Sequence, residues 1–394
     1  MTLAGTIQIE LHHRAGKANI ARITSSRPEK AAQVLLGKTP EQVLDIVPLL
    51  FTVCGNAQAY AALRACRIAL GLDAEPVSDA SRNMLVQIET LREHAWRILL
   101  DWPVFTGVVS DKHALTALFK FDAQFKRYLF RDGQAFKLDS HSDIDITQLI
   151  RLIDELEALI AACIFNGQLA GFRQLNTEAQ LRDWLQQNES VAASLVNYLY
   201  DKGWAGAGQN SVACLPELES DTLNQQMREN DWAVLSRTPQ WQGSCFETTA
   251  LNRQWSQPLI IDLQNRYGNG LIVRVLSRLL EVSGILLRLK LGWASITSDQ
   301  EELVVSAVVD NEVGLTQIQA ARGLLIHRLA LRQGKVSDYC IVAPTEWNFH
   351  PEGVVAQSLA QLEAENPSDL RKQAELLINA VDPCVQYALN LTDK

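Results

Sequence analysis

Four stretches of this 394-residue chain, 79–100, 114–130, 144–165 and 177–199, repeat apolar residues every three or four positions, the period of an amphipathic helix. A further stretch, 271–289, places Ile272, Val275, Leu276, Leu279 and Leu286 on one face and reads as a core helix. After Trp293 the period changes. The runs 303–309, 324–331 and 339–342 have strand character, the last two flanking Gln333-Gly334-Lys335 as a hairpin. This switch predicts a fold that is mostly α with small β-sheets, an α+β class.

Shorter signals fill in the rest. Residues 6–11 and 18–23 read as a hairpin around Arg14-Ala15-Gly16-Lys17. Ser26-Arg27-Pro28-Glu29 opens a helix that stops at Gly37, and Thr39-Pro40-Glu41 opens another, each with a cap residue before a proline suited to a first turn. A helix over 57–70 leaves Cys54 near its N-terminus, where free N–H groups and the helix dipole favour a thiolate. The span 205–242 reads as irregular connection, and helices return over 351–364 and 370–381. No repeat or linker marks a boundary, so 1–394 is expected to form one domain: hairpin 5–24, helical core 28–292, strand-rich segment 302–345 and C-terminal helices 351–381.

Composition narrows the function classes. A net charge of -9 argues against nucleic-acid partners, which need clustered Lys and Arg to displace counterions. The first ten residues alternate polar and apolar, so no secretory signal is read there. The most apolar stretch, 271–291, carries Arg274, Arg278, Glu281, Arg288 and Lys290, which forbids a spanning helix and leads to a cytoplasmic, membrane-free expectation. The seven cysteines are odd in number and scattered, without a CxxC pair, which argues against a disulfide framework or zinc ribbon. The default for any one of them is a buried apolar thiol.

Context promotes two of them. Cys54 lies in Phe51-Thr52-Val53-Cys54-Gly55-Asn56-Ala57-Gln58 and Cys384 in Asp382-Pro383-Cys384-Val385-Gln386-Tyr387. Between them come Glu247-Thr248-Thr249-Ala250-Leu251-Asn252-Arg253, then Ala321-Arg322-Gly323-Leu324-Leu325-Ile326-His327, then Ala343-Pro344-Thr345-Glu346-Trp347-Asn348. In this order the five segments resemble the RxCGxCxxxH, ETGPLAR, PRGLLxH, PTTWN and DPCxxCxxH motifs of nickel-iron hydrogenase large subunits. The implied fold is therefore nickel-iron hydrogenase large-subunit-like.

The departures from that pattern carry as much weight as the matches. Cys54 falls on the second cysteine of the first motif, with Phe51 at the first, Leu49 at the arginine and Gln58 at the histidine. Cys384 keeps the first cysteine of the last motif, while Tyr387 and Asn390 replace its second cysteine and histidine. The opening Glu-Gly-His appears as Ala4-Gly5-Thr6. Two thiolates suit one iron but not a nickel-iron pair, which the family holds with four, so no nickel is expected. The chain ends at Lys394, from which no maturation cleavage is expected.

What remains is the iron-facing half. The resemblance implies metal ligands Cys54 and Cys384. It places Arg322 and Thr345 as donors to cyanide nitrogens and Leu325 around a carbonyl, with Pro344 in the same cyanide and carbonyl pocket and Gln58, Glu247, His327 and Asp382 behind them. His327 reads more readily as a satisfied structural histidine than as a ligand, and Glu247 as a core hydrogen-bonding group or the solvated start of a helix. The kept and lost positions together resemble the hydrogenase expression and formation proteins of the HupK and HoxV branch. These are implied to be non-enzymatic scaffolds for the Fe(CN)2(CO) unit, with a HypC-like chaperone, the HypC-HypD complex and the hydrogenase large-subunit precursor as partners. Two alternatives stay open: a metal-free interaction protein binding maturation factors, and a homologue like the large-subunit relative in respiratory complex I.

Overall fold

The computed structural model describes residues 5–13, 19–27, 31–229, 235–292, 304–310 and 312–393. Helices dominate and two small sheets flank them, as the change of period predicts. The first sheet has the order β2-β1-β7, with β1 Thr6–His13, β2 Ile20–Ser25 and β7 Gln386–Asp393. β2 runs antiparallel to β1, with Ile7 opposite Ser25, and β7 runs parallel to it, with Thr6 opposite Gln386. The turn residues 14–17 of the expected hairpin, the helix start at Pro28-Glu29, and Leu303 lie outside the described residues.

The second sheet is an antiparallel meander of β3 Val304–Asp310, β4 Val313–Ala320, β5 Gly323–Arg332 and β6 Lys335–Val342. β4 and β5 are buried along nearly their whole length, because helix α2 Gly55–Ala69 covers them. The approach is close: a Cβ on Gly314 of β4 would sit 1.9 Å from the Ala65 carbonyl oxygen of α2. α1 Pro40–Leu50 precedes α2 and begins with a capping box between Thr39 and Gln42. Val43, Leu44 and Val47 of α1 pack with Leu63 and Cys66 of α2 over Leu329 and Tyr339 of the sheet.

The helix Leu271–Gly292 runs through the main core and is buried on nearly every side, so the core-helix reading holds. Its buried charges have named partners. Arg274 makes a bidentate pair with Glu247 at 3.0 and 2.8 Å, and Arg278 donates to the carbonyls of Asn379 and Ala380, each at 3.1 Å. Glu281 meets Arg253 at 2.7 Å and His94 at 2.8 Å. The bonds to Glu247 and Arg253 tie one motif-bearing segment to this central helix.

Several elements differ from expectation. Where the sequence predicts a helix running to Gly37, the described residues Ala31–Leu35 form a 3-10 helix. The run 177–199 divides into Glu178–Gln186 and Val191–Asp201, because Ser190 caps a new helix through the Ala193 N–H. Within 205–242 stands a helix, Ser220–Glu229. A short helix, Pro344–Asn348, precedes Val354–Ala360, which is shorter than the 351–364 span, while the last helix runs Pro367–Val381 as its pattern suggests.

Candidate metal centre

The fold brings the two motif cysteines together. Cys54 is the residue before α2, and Cys384 follows the helix Pro367–Val381 through Asp382, whose φ of 68° turns the chain out of that helix. Both residues are intermediate in exposure, and Cys54 feels the charge of Cys384. Thr345 ties the second cysteine down: its hydroxyl donates to Cys384 Sγ at 3.0 Å and accepts from the Cys384 N–H at 3.2 Å.

Cys54 does not behave as a helix-stabilised thiolate. The N–H groups at the start of α2 are already taken, because Glu89, on helix α3 Pro76–Trp96, accepts from Asn56 at 2.7 Å and Ala57 at 3.1 Å. A carboxylate now occupies the anion site that the sequence assigned to sulfur. Burial pushes the Cys54 thiol up to about 12, with Cys384 and Glu89 adding to the rise and Arg322 and a hydrogen bond from Gln58 opposing it. Burial likewise pushes Glu89 up to about 7, against its two backbone hydrogen bonds and Arg92.

Arg322 is fully enclosed and influenced by both thiols. Its backbone conformation rests on Gly323, whose φ is +127° and whose missing Cβ would lie 1.9 Å from the Thr248 carbonyl oxygen. Asn348 bridges the same turn, donating to the Arg322 carbonyl and accepting from the Thr248 N–H, both at 2.9 Å. The guanidinium donates through Nη2 to Glu93 at 3.0 Å, and its Nε sits 3.3 Å from Asp382 Oδ1 without hydrogen-bond geometry. Nη1 is buried with no acceptor among the described residues. Although burial opposes its charge, Asp382 and Glu93, followed by the two thiols, hold the Arg322 pKa above the ordinary arginine value. Asp382 is buried too, yet Arg322, Arg97 and Arg278 bring its carboxyl down to about 2. Leu325 lies in the main core and Pro344 is buried at the start of the Pro344–Asn348 helix.

The remaining candidates divide. Gln58 accepts from His327 Nε2 at 2.9 Å while its amide reaches Cys54, and His327 Nδ1 accepts from the Tyr339 hydroxyl at 2.9 Å. Burial lowers the His327 pKa to about 3, so the ring is a neutral relay between Tyr339 and the amide. Glu247 stands in its own buried pair with Arg274 and braces the Thr248 loop against which Gly323 packs. Leu49 and Tyr387, where the family has an arginine and a cysteine, are exposed, and Phe51 is partly buried.

Three participants were not read from the sequence as site residues: Glu89, Glu93 and Arg27. Glu93 lies in Glu93-His94-Ala95-Trp96-Arg97, where an acid and a base flank three residues, of which His94 and Ala95 are buried and Trp96 is exposed. Nothing local marks Glu89 within its helix. Arg27 donates to Glu346 at 2.6 Å, and only the neighbouring Thr345 hints at that position.

Comparison with known proteins fits this geometry. HoxV, a hydrogenase expression/formation protein from Cupriavidus necator, is 29% identical over 404 residues, covering 100% of this chain and 98% of its own length. HupK from Rhizobium leguminosarum is 27% identical over 397 residues, covering 99% and 97%. This chain is a full-length homologue of the hydrogenase expression/formation proteins. Residues 263–389 match the family model described as nickel-dependent hydrogenase. Those homologues are named as formation proteins and not as hydrogenases, and the chain itself has the hydrogenase large-subunit fold. The reduced nickel-iron-selenium hydrogenase of Desulfomicrobium baculatum superposes with a TM-score of 0.67 at 14% identity, covering 95% of each chain. An NAD+-reducing nickel-iron hydrogenase gives 0.60 at 12% identity, covering 93% and 92%. Among the described residues, no helix of this homologue is long and apolar enough to cross a membrane. Nor do any three or more His, Cys, Asp or Glu side chains there form a metal cage.

Proposed function

We propose that the chain serves hydrogenase maturation as a carrier that receives, holds and passes on the Fe(CN)2(CO) unit destined for the large subunit. The observation that supports this most is the orphaned Nη1 of Arg322, a buried cationic donor beside two thiols. A buried donor without a partner costs stability, and an anionic acceptor such as cyanide relieves it. Two thiols supply only two metal ligands, which suits an iron that brings diatomic ligands with it.

The same ligand set favours a reversible grip. Metal binding requires thiolates, and two of them hold an iron less firmly than the four of a nickel-iron pair, which suits onward transfer. Thr345 is oriented at Cys384 and its hydroxyl can rotate toward a cyanide nitrogen. Leu325 and Pro344 offer the apolar wall that carbon monoxide tolerates. The partners in this reading are a HypC-like chaperone or the HypC-HypD complex as donor and the large-subunit precursor as acceptor, all in the cytoplasm.

The test is iron content and infrared spectroscopy on protein purified anaerobically after co-production with the maturation machinery. About one iron, no nickel, and cyanide and carbonyl stretches are expected from a two-thiolate site. Cys54→Ala and Cys384→Ala should each remove the bands from a folded protein, while Cys66→Ala should keep them. Stoichiometric nickel, or iron without diatomic bands, overturns the proposal. Iron-free protein that still supports maturation favours the metal-free interaction reading.

A further inference from the structure

Arg27 stands where the first sheet delivers two chain segments at one end. β2 ends beside the start of β1, with Ser25 opposite Ile7, and β7 starts there as well, with Gln386 opposite Thr6. Arg27 leaves that end two residues after β2, and Cys384 enters it two residues before β7. The start of β1 fixes the arginine's backbone: Thr6 N–H donates to Ser26 Oγ at 2.9 Å, and Ser26 N–H donates to the Thr6 carbonyl at 3.0 Å. Gly5, with φ +72°, lies so close that a Cβ there would be 2.6 Å from Arg27 Cα.

The side chain is equally constrained. Nη1 donates to Glu346 Oε1 at 2.6 Å, and Glu346 adjoins Thr345, the residue bonded to Cys384 Sγ at 3.0 Å. A guanidinium has five N–H donors in a rigid fork. The Glu346 bond uses one nitrogen, which leaves the other edge of the fork for a second acceptor. Burial works against the charge on Arg27, yet Cys384, Glu346 and Cys54 together hold its pKa above the ordinary arginine value.

Resting on the carrier reading, we propose that Arg27 is a second cation of the cargo pocket, held by Glu346 and donating to the sulfur of Cys384 when that sulfur is an iron-bound thiolate. Arg322 and Arg27 then have different tasks. Arg322 meets a diatomic ligand, whereas Arg27 meets the protein's own ligand atom and offsets the charge that loading creates. A hydrogen bond to a thiolate withdraws electron density from the iron, so its loss strengthens back-donation into every diatomic ligand at once.

The experiment compares wild type, Arg27→Leu, Arg27→Lys and Arg322→Leu, each co-produced anaerobically with the maturation machinery and checked by circular dichroism for an intact fold. In Arg27→Leu the carbonyl stretch should move to lower frequency together with both cyanide stretches. Iron retained through desalting should fall by roughly ten-fold, the affinity equivalent of one hydrogen bond to a charged group. Arg27→Lys should recover most of the iron but leave the carbonyl stretch between the wild-type and Arg27→Leu frequencies, whereas Arg322→Leu should disturb a cyanide stretch more than the carbonyl. A folded Arg27→Leu with wild-type bands and iron overturns the assignment of Arg27 and leaves the carrier reading standing. Wild-type protein without diatomic bands overturns both. If Arg27→Leu fails to fold, Arg27→Lys decides: its ammonium cannot keep the fork geometry, so a carbonyl stretch identical to wild type refutes a specific contact to sulfur.

Discussion

Replacing Glu89 by glutamine should make the protein less sensitive to alkaline pH while leaving its fold intact. The carboxyl is buried, accepts from Asn56 and Ala57, and has its pKa pushed by burial from the ordinary 4.5 to about 7. A group that binds its proton more tightly in the folded state stabilises the fold fully below its unfolded value. That contribution disappears as pH rises through the folded one. The interval from 4.5 to about 7 corresponds to about 3 kcal/mol at 1.36 kcal/mol per tenfold change. Glutamine is neutral throughout and keeps one acceptor oxygen, so it loses about 1 kcal/mol of hydrogen bonding at every pH. Urea unfolding from about pH 4.5 to about pH 8 should therefore show Glu89→Gln weaker than wild type at the acid end, then gaining on it by up to about 3 kcal/mol. Two stability curves that stay parallel across this range would refute the claim that a buried carboxylate caps α2 beside Cys54.

Two further substitutions probe the scaffold. Gly323→Ala should destabilise the protein by roughly 3 kcal/mol, since it combines a positive φ with a collision against the Thr248 carbonyl, and an unchanged melting temperature would show that the Arg322 turn is not held there. Thr345→Val deletes the acceptor of the Cys384 N–H and the donor to its sulfur, costing about 1 kcal/mol in thermal unfolding. In loaded protein it should shift one cyanide stretch more than the carbonyl, and identical spectra would remove Thr345 from the pocket.

Much of this architecture is legible in local patterns, and the unread parts are non-local. The helix Leu271–Gly292 announces itself by its apolar face, and Thr39-Pro40 marks the start of α1 by a cap that needs only its own neighbours. β4 hides because Gly314 breaks its β-rich run, and that glycine is there for the backbone of α2, far away in sequence. β7 hides because its partner β1 is at the other end of the chain and pairs in parallel, which no turn signal reports. At the site, Cys54, Cys384, Arg322 and Thr345 can be read because they stand in segments that resemble, in the same order, the motifs of nickel-iron hydrogenase large subunits. Glu89 and Arg27 cannot, since a glutamate in a helix and an arginine after a strand are ordinary until tertiary contacts give them partners. The anticipated thiolate at Cys54 fails for that same reason: the helix N-terminus was visible, but not the carboxylate that occupies it.

The parallel pairing of β7 with β1 also sets a timetable. A chain made from its N-terminus presents Cys54 early, with β1 lacking its third strand and Arg322 lacking Asp382. Cys384 takes its place only after the segment that forms β7 has emerged and reached back to the first strand of the molecule. On the carrier proposal, a growing chain would own half of a binding site and could not trap cargo. Occupancy of the pocket would then report that the segment forming β7 has been made and has paired with β1.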